Sequence, residues 1–330
     1  MNVSFHGRLD QASPPGPSRS ASVPQGKIRI GTRGSPLALV QAEHVRSRIA
    51  AAHGLDPASI EITIIKTSGD RILDRPLSEV GGKGLFTKEI EEALLDDSID
   101  LAVHSMKDVA TVLPDSLTIA AILEREDVRD AFISLKAKSF ADLPSGAVVG
   151  TASLRRQAMV KRMRPDLTVV TFRGNVGTRL RKLEAGEADA TILAYAGLKR
   201  LDQTDRATDI LSTDAMLPAV AQGALGLEIR KSDTRLAEIV APLVHAETAK
   251  AVTAERAMLR GLDGSCKTPI AGYAEVSGGK LSLRGMILTT DGREAHDVVR
   301  NGLASDAAAI GRDAAEDLLS RAGPNFLRTA

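Results

Sequence analysis

The chain has 330 residues, with 43 Lys plus Arg against 42 Asp plus Glu, 43% hydrophobic and 2% aromatic residues, and no tryptophan. That length exceeds one ordinary core and predicts two or three domains; the balanced charge excludes a global field for nucleic acid or an anionic membrane surface, and the scarce aromatics exclude base-stacking platforms. No apolar run approaches the roughly 20 residues that span a bilayer, the amino terminus lacks an apolar secretory stretch, and one cysteine, Cys266, excludes a disulfide framework, so a cytosolic address is expected.

Residues 1–26, rich in Ser, Pro and Gly, bury too little apolar surface to offset ordering and predict a flexible extension. Lys27 to Arg33 predicts a strand. Ser35-Pro36 offers an N-cap and a first-turn proline for a helix to about His53, stopped by Gly54. Glu61 to Lys66 predicts a strand, Leu85 to Asp97 an amphipathic helix and Asp100 to His104 a short strand. This alternation implies βαβ units whose ligands sit at the carboxyl ends of parallel strands.

The charge cluster from Glu124 to Asp130 suits a crossing between domains. A second alternation follows: strands over Ala147 to Gly150, Thr168 to Phe172 and Asp189 to Leu193, helices over Ser153 to Met163 and Asn175 to Ala185. No sequence repeat links the two halves, so their likeness is architectural. Leu217 to Gln222 is extended, and Ala224 to Arg230 suits a strand returning to the first sheet, giving a two-crossing hinge. After a helix over Ala246 to Leu262, a hairpin (Ile270 to Val276, a Ser277 to Lys280 turn, Leu281 to Ile287) and a helix over Ala304 to Arg321 predict a smaller α+β domain. The expected division is an extension over 1–26, a first domain of 27–123 with 224–241, a second of 129–217 and a third of 246–330.

Cationic and hydroxyl residues recur where strands end and helices begin. Thr32 to Ser35 brings Arg33 and Ser35, Thr151 to Arg156 brings Ser153, Arg155 and Arg156, and Arg173 to Arg179 brings both arginines. Helix amino termini and bidentate guanidiniums suit a polyanion, although caps and solvated arginines use the same residues. Lys83 lies in a glycine-rich loop without Walker spacing, which disfavours a nucleotide. Asp108, beside Lys107 and just past the third strand, is placed for general acid and base work or for a structural ion pair. Cys266, beside Lys267 in a small-residue loop, is either an activated thiol or an inert one.

Taken together, Thr32 to Leu39, Val80 to Phe86, Val103 to Val109, Thr151 to Gln157, Arg173 to Leu180 and Leu217 to Gly226 resemble the porphobilinogen deaminase family, from about Lys27 to the last helix. The resemblance implies an α/β chain with two domains like type II periplasmic binding proteins and a smaller C-terminal α+β domain. It implies a monomeric transferase that joins four porphobilinogen units, with loss of ammonia, onto a covalent dipyrromethane primer and releases hydroxymethylbilane. Cys266 would hold the dipyrromethane by a thioether, and Asp108 would be catalytic. Lys83, Lys107, Ser153, Arg155, Arg156, Arg173 and Gln222 would bind the cofactor; Arg33, Ser35, Phe86, Arg173, Arg179 and Arg206 would bind substrate. No metal, nucleic acid or membrane is implied. Two departures stand out: Ala152 where serine is common, and Ala221 where glycine is familiar, which bears on the hinge. A non-enzymatic anion-binding protein would share the cationic loops but needs neither Asp108 nor a modified Cys266.

Overall fold

The computed structural model describes residues 27–71, 86–264, 268–323 and 326; the expected extension over 1–26, Lys83 and Cys266 lie outside them. The described residues open with β1 (Ile28–Arg33), α1 (Pro36–His53), β2 (Ile60–Ile65), α2 (Ser68–Arg71), α3 (Lys88–Leu95), β3 (Leu101–Ser105) and β4 (Leu117–Ile122). They continue through β5 (Asp130–Ser134), β6 (Val148–Gly150), α4 (Leu154–Met163), β7 (Thr168–Val170), α5 (Val176–Glu184), β8 (Ala190–Ala194), α6 (Tyr195–Arg200) and β9 (Asp209–Leu211). Then come β10 (Leu225–Arg230), α7 (Thr234–Val240), α8 (Ala246–Gly261), β11 (Ile270–Ser277), β12 (Lys280–Leu288), β13 (Ala295–Leu303) and α9 (Ala307–Ala322).

Local chemistry sets the helix ends that matter for the site. The Ser35 side chain accepts from the Ala38 N–H, Pro36 occupies the first turn, and Gly54 ends α1 in the left-handed region at φ 64°. Ser153 and Asn175 cap α4 and α5 in the same way, through Arg156 N and Thr178 N. Each cap therefore fixes a helix start within a few residues of the end of a strand.

Two sheets share one plan. The first runs β2-β1-β3-β10-β4, with β1 parallel to β2 and β3 and with β10 antiparallel to β3 and β4. The second runs β7-β6-β8-β5-β9, with β6 parallel to β7 and β8 and with β5 antiparallel to β8 and β9. In each, the antiparallel strand is the one that follows a crossing from the other half. The architectural likeness without sequence repeat is thus a shared topology. The third sheet is the antiparallel meander β11-β12-β13.

Cores follow from the composition. Ala42, Val45 and Ile49 of α1 pack on Ile28, Ile30, Leu101 and Leu225 of the first sheet. In the third unit, α8 and α9 meet through small residues; a Cβ on Gly311 would lie 2.2 Å from the Ala254 carbonyl oxygen, so only glycine allows that approach. This third core also takes in Met106, Val109, Val220 and Ala221 from the first half and the crossing, so α8 is packed directly behind the end of β3.

The two crossings lie against each other and against α8. Glu255 of α8, fully buried, accepts from Arg125 Nη1 at 2.5 Å and Nη2 at 3.1 Å, from Ala221 N at 2.6 Å and from Ala274 N at 2.7 Å. Ala221 sits at φ 59°, where a Cβ costs about 1 to 2 kcal/mol that glycine would not incur. The departure noticed in the sequence is therefore a locally strained residue of the second crossing, pinned by Glu255 through its N–H.

Candidate active site

The carboxyl ends of β1 and β3 face one pocket. Its lining includes Arg33, Gln41, Phe86, His104, Ser105 and Asp108. The Arg33 guanidinium stacks over the Phe86 ring, 4.2 Å from its centroid. Gln41 reaches across from α1, its Nε2 3.0 Å from Ser105 Oγ. After β3 the chain makes one tight turn, Met106 to Asp108, whose start is held by Met106 N donating to Ala224 O of the second crossing at 3.0 Å. Asp108 is thus carried on a short, anchored turn, half-buried, at the place where the sequence put it.

His104 is turned to a different partner. Its Nε2 lies 2.9 Å from Glu228 Oε2, and both side chains are buried, so it serves a structural pair rather than the pocket.

The second half contributes guanidiniums. Arg155 and Arg156, on the first turn of α4, converge on the buried Asp130: Arg155 Nη2 donates to Oδ2 at 2.6 Å and Arg156 Nη2 to Oδ1 at 2.7 Å. Their remaining Nη1 groups donate to Leu217 O at 2.7 Å and Ile192 O at 2.9 Å. Gln222 Nε2 completes the knot, donating to Asp130 Oδ1 at 2.9 Å and Val128 O at 2.7 Å. Burial alone would raise the Asp130 carboxyl, but the two guanidiniums win and hold it well below the usual carboxylate range. Three residues expected to meet the cofactor are therefore first bound to one another, through a carboxylate that the sequence reading assigned only to a linker.

Cations from both halves gather around Asp108. Burial draws the Lys107 ammonium down to about 8; Asp108 and Asp130 oppose this, while Arg156 and Arg179 add to it. Arg179 is drawn down to about 10 by burial and by its like-charged neighbours Arg156 and Arg173, with Asp108 opposing. Arg179 is oriented by Nε donating to Gly174 O at 2.9 Å. Among the described residues neither Lys107 nor Arg179 has an ion pair of its own. Lys107, Arg156, Arg173, Arg179 and Asp108 thus feel one another across the two halves. Arg206 is not brought into this group; it is about half exposed and pairs with Glu184 at 3.3 Å.

Family models match nearly the whole chain. "Porphobilinogen deaminase, dipyromethane cofactor binding domain" matches residues 28–238, and "Porphobilinogen deaminase, C-terminal domain" matches 249–320. The chain belongs to the porphobilinogen deaminase family. A porphobilinogen deaminase of Nitrobacter hamburgensis is 60% identical over 297 residues, covering 90% of this chain and 94% of that protein. One of Nitrobacter winogradskyi is 59% identical over the same length and coverage. Among solved structures, a methionine-binding lipoprotein of Bacillus subtilis described as putative covers 66% of this chain and 90% of its own at 14% identity and a TM-score of 0.41. An arginine-specific periplasmic binding protein of Salmonella typhimurium gives 14% identity, 66% and 91% coverage and 0.37. These scores are too low to bear on the fold, which rests on the strand orders above.

The resemblance read from the motifs is borne out, and with it an enzyme of tetrapyrrole biosynthesis that uses dipyrromethane. The residues present fit that group. Each of its pyrroles carries an acetate and a propionate arm, and Lys107, Arg156, Arg173 and Arg179 act on one another as like-charged neighbours around Asp108. A polycarboxylate relieves that repulsion. No helix among the described residues is long and apolar enough to cross a membrane.

Proposed function

We propose that Asp108 performs the proton and charge work of hydroxymethylbilane synthesis in this chain, in a cleft whose cations hold the carboxylate arms of cofactor and substrate. When bound, dipyrromethane supplies the free pyrrole end to which each porphobilinogen is joined. Lys107, Arg156, Arg173 and Arg179 would hold acid arms, with Ser153 at the α4 amino terminus; Arg155 and Gln222 act by fixing Asp130 and hence the direction of Arg156. Arg33, stacked on Phe86, and Ser35 would receive the arms of incoming substrate. The Asp108 carboxylate accepts from a pyrrole N–H and stands against the positive charge that grows as the substrate's ammonium group leaves. Phe86 keeps water from that charge. Lys83 and Cys266 belong to the same reading, as a cationic arm and as the thioether anchor; Arg206 fits it least, because its partner is Glu184.

The observation that carries this reading is the position of Asp108 amid Lys107 and Arg179. A receptor for anions alone gains nothing from a carboxylate there, since it weakens the field that attracts the ligand. The near-neutral charge and scarce aromatics support a reading without nucleic acid, while a cytosolic monomer acting on porphobilinogen follows from the family resemblance.

Ammonia release from porphobilinogen tests the assignment, and its pH dependence tests the grip. Lys107 is charged below about 8 and neutral above it. Hence ammonia release during cofactor assembly by the pyrrole-free chain is expected to slow as pH rises through that value, about tenfold per unit at most, and Lys107→Arg is expected to abolish this limb because a guanidinium stays protonated. No ammonia release at any pH, or an unaltered limb in Lys107→Arg, would overturn the respective assignment.

A further inference from the structure

The turn that carries Asp108 has two ends, and its start is held by Ala224 of the second crossing. Its far end is held by the third unit. Arg256, partly buried on α8 beside Glu255, sends Nη1 to Val109 O at 2.9 Å and Nη2 to Ala110 O at 2.6 Å, the two carbonyls that directly follow Asp108. Val109 N closes the turn on Met106 O at 3.3 Å, and the Met106 and Val109 side chains enter the core that α8 builds. Burial draws Arg256 down to about 10 while Glu228 pushes it back up, so the guanidinium is charged at neutral pH.

A planar guanidinium with two fixed N–H groups matches two successive carbonyls; an ammonium is a single point donor that cannot hold both in one geometry. We propose that Arg256 is a positioning residue for Asp108: by clamping the Val109 and Ala110 carbonyls, it lets the unit that leads into the Cys266 loop set where the Asp108 carboxylate stands. The proposal rests on the reading of Asp108 given above. Arg256 itself touches no substrate in it. What it supplies is a fixed distance between the helix that leads to the anchoring sulfur and the carboxylate that must meet each new pyrrole.

The test is a double-mutant cycle on full-length protein, with Arg256→Lys and Arg256→Gln each made alone and with Asp108→Asn, measured by single-turnover elongation. Intact mass and thermal unfolding are recorded for every variant. Arg256→Lys is expected to fold and to keep its covalent pyrroles, with KM held within about twofold and kcat reduced roughly 10- to 100-fold, the range for a reacting group displaced by about 1 Å. Arg256→Gln is expected to lose as much or more. In the Asp108→Asn background neither substitution is expected to slow elongation further, because the group being positioned is already gone. A normal kcat in Arg256→Lys, a loss confined to KM, or a loss that multiplies with that of Asp108→Asn would overturn the proposal. So would failure of both variants to fold or to carry pyrroles, which would make the clamp a determinant of the fold. Near-normal turnover of Asp108→Asn alone would instead remove the reading on which the proposal rests.

Discussion

Asp108→Asn is expected to fold, to carry its covalent pyrroles and to elongate them about 10² to 10⁴ times more slowly than the unaltered chain. Asparagine keeps the size and one acceptor oxygen, so the turn from Met106 to Asp108 and its bond to Ala224 O survive. What disappears is the negative charge. Without it, Lys107 keeps only the weaker opposition of Asp130 among the described residues and Arg179 loses that of Asp108, so positive charge growing at the reacting carbon is no longer offset by a carboxylate on the turn. The loss should therefore fall on kcat and leave binding of the acid arms intact or tighter. Single-turnover kinetics on mass-verified protein checks this. Elongation within about threefold of normal would remove Asp108 from the chemistry.

Asp130→Asn is expected to destabilise the second half of the chain by about 3 to 5 kcal/mol, because two buried guanidiniums then lose their shared counter-charge. Asp130 is fully buried, so solvent cannot replace it. The folded carboxyl lies below its unfolded value near 3.9. Its contribution is therefore complete above that pH and is lost progressively as pH falls below it, and the substituted protein should lack this part of the acid limb. Urea unfolding across the acid range reads both effects. Equal midpoints at neutral pH would mean that the three residues are not the ion cluster their geometry describes. The same substitution should impair cofactor assembly, since Arg156 is aimed by Asp130 and stands close enough to perturb Lys107 and Arg179.

These two carboxylates mark what a sequence reader can and cannot see. Asp108 was legible because it follows a short apolar strand directly, and a polar residue there is at the rim of a parallel sheet. Asp130 was not, because it stood at the end of a run of charges, and its partners lie 25 and 26 residues away. The hint was its place at the head of Ala131-Phe132-Ile133, where an apolar strand leaves no water for a lone charge. Helix α1 was legible to the residue, since Ser35, Pro36 and Gly54 are local signals whose physics needs no tertiary partner.

Strand β5 was missed for the opposite reason: all of its residues are buried, so no alternation marks it. Strand β13, with His296, Asp297, Arg300 and Asn301, was missed because an edge strand of a small sheet is largely polar. The Arg256 clamp was invisible in principle. Its acceptors are main-chain carbonyls, which every residue has, and only the packing of α8 behind β3 selects Val109 and Ala110.

The intact mass of the purified chain bears most directly on whether this is a transferase primed on its own sulfur. It is predicted to exceed the sequence mass by two linked pyrroles, to gain further single pyrrole steps on brief exposure to porphobilinogen, and to fall to the sequence mass in Cys266→Ser. An active protein at its bare sequence mass, or a Cys266→Ser protein that keeps the increment, would contradict it.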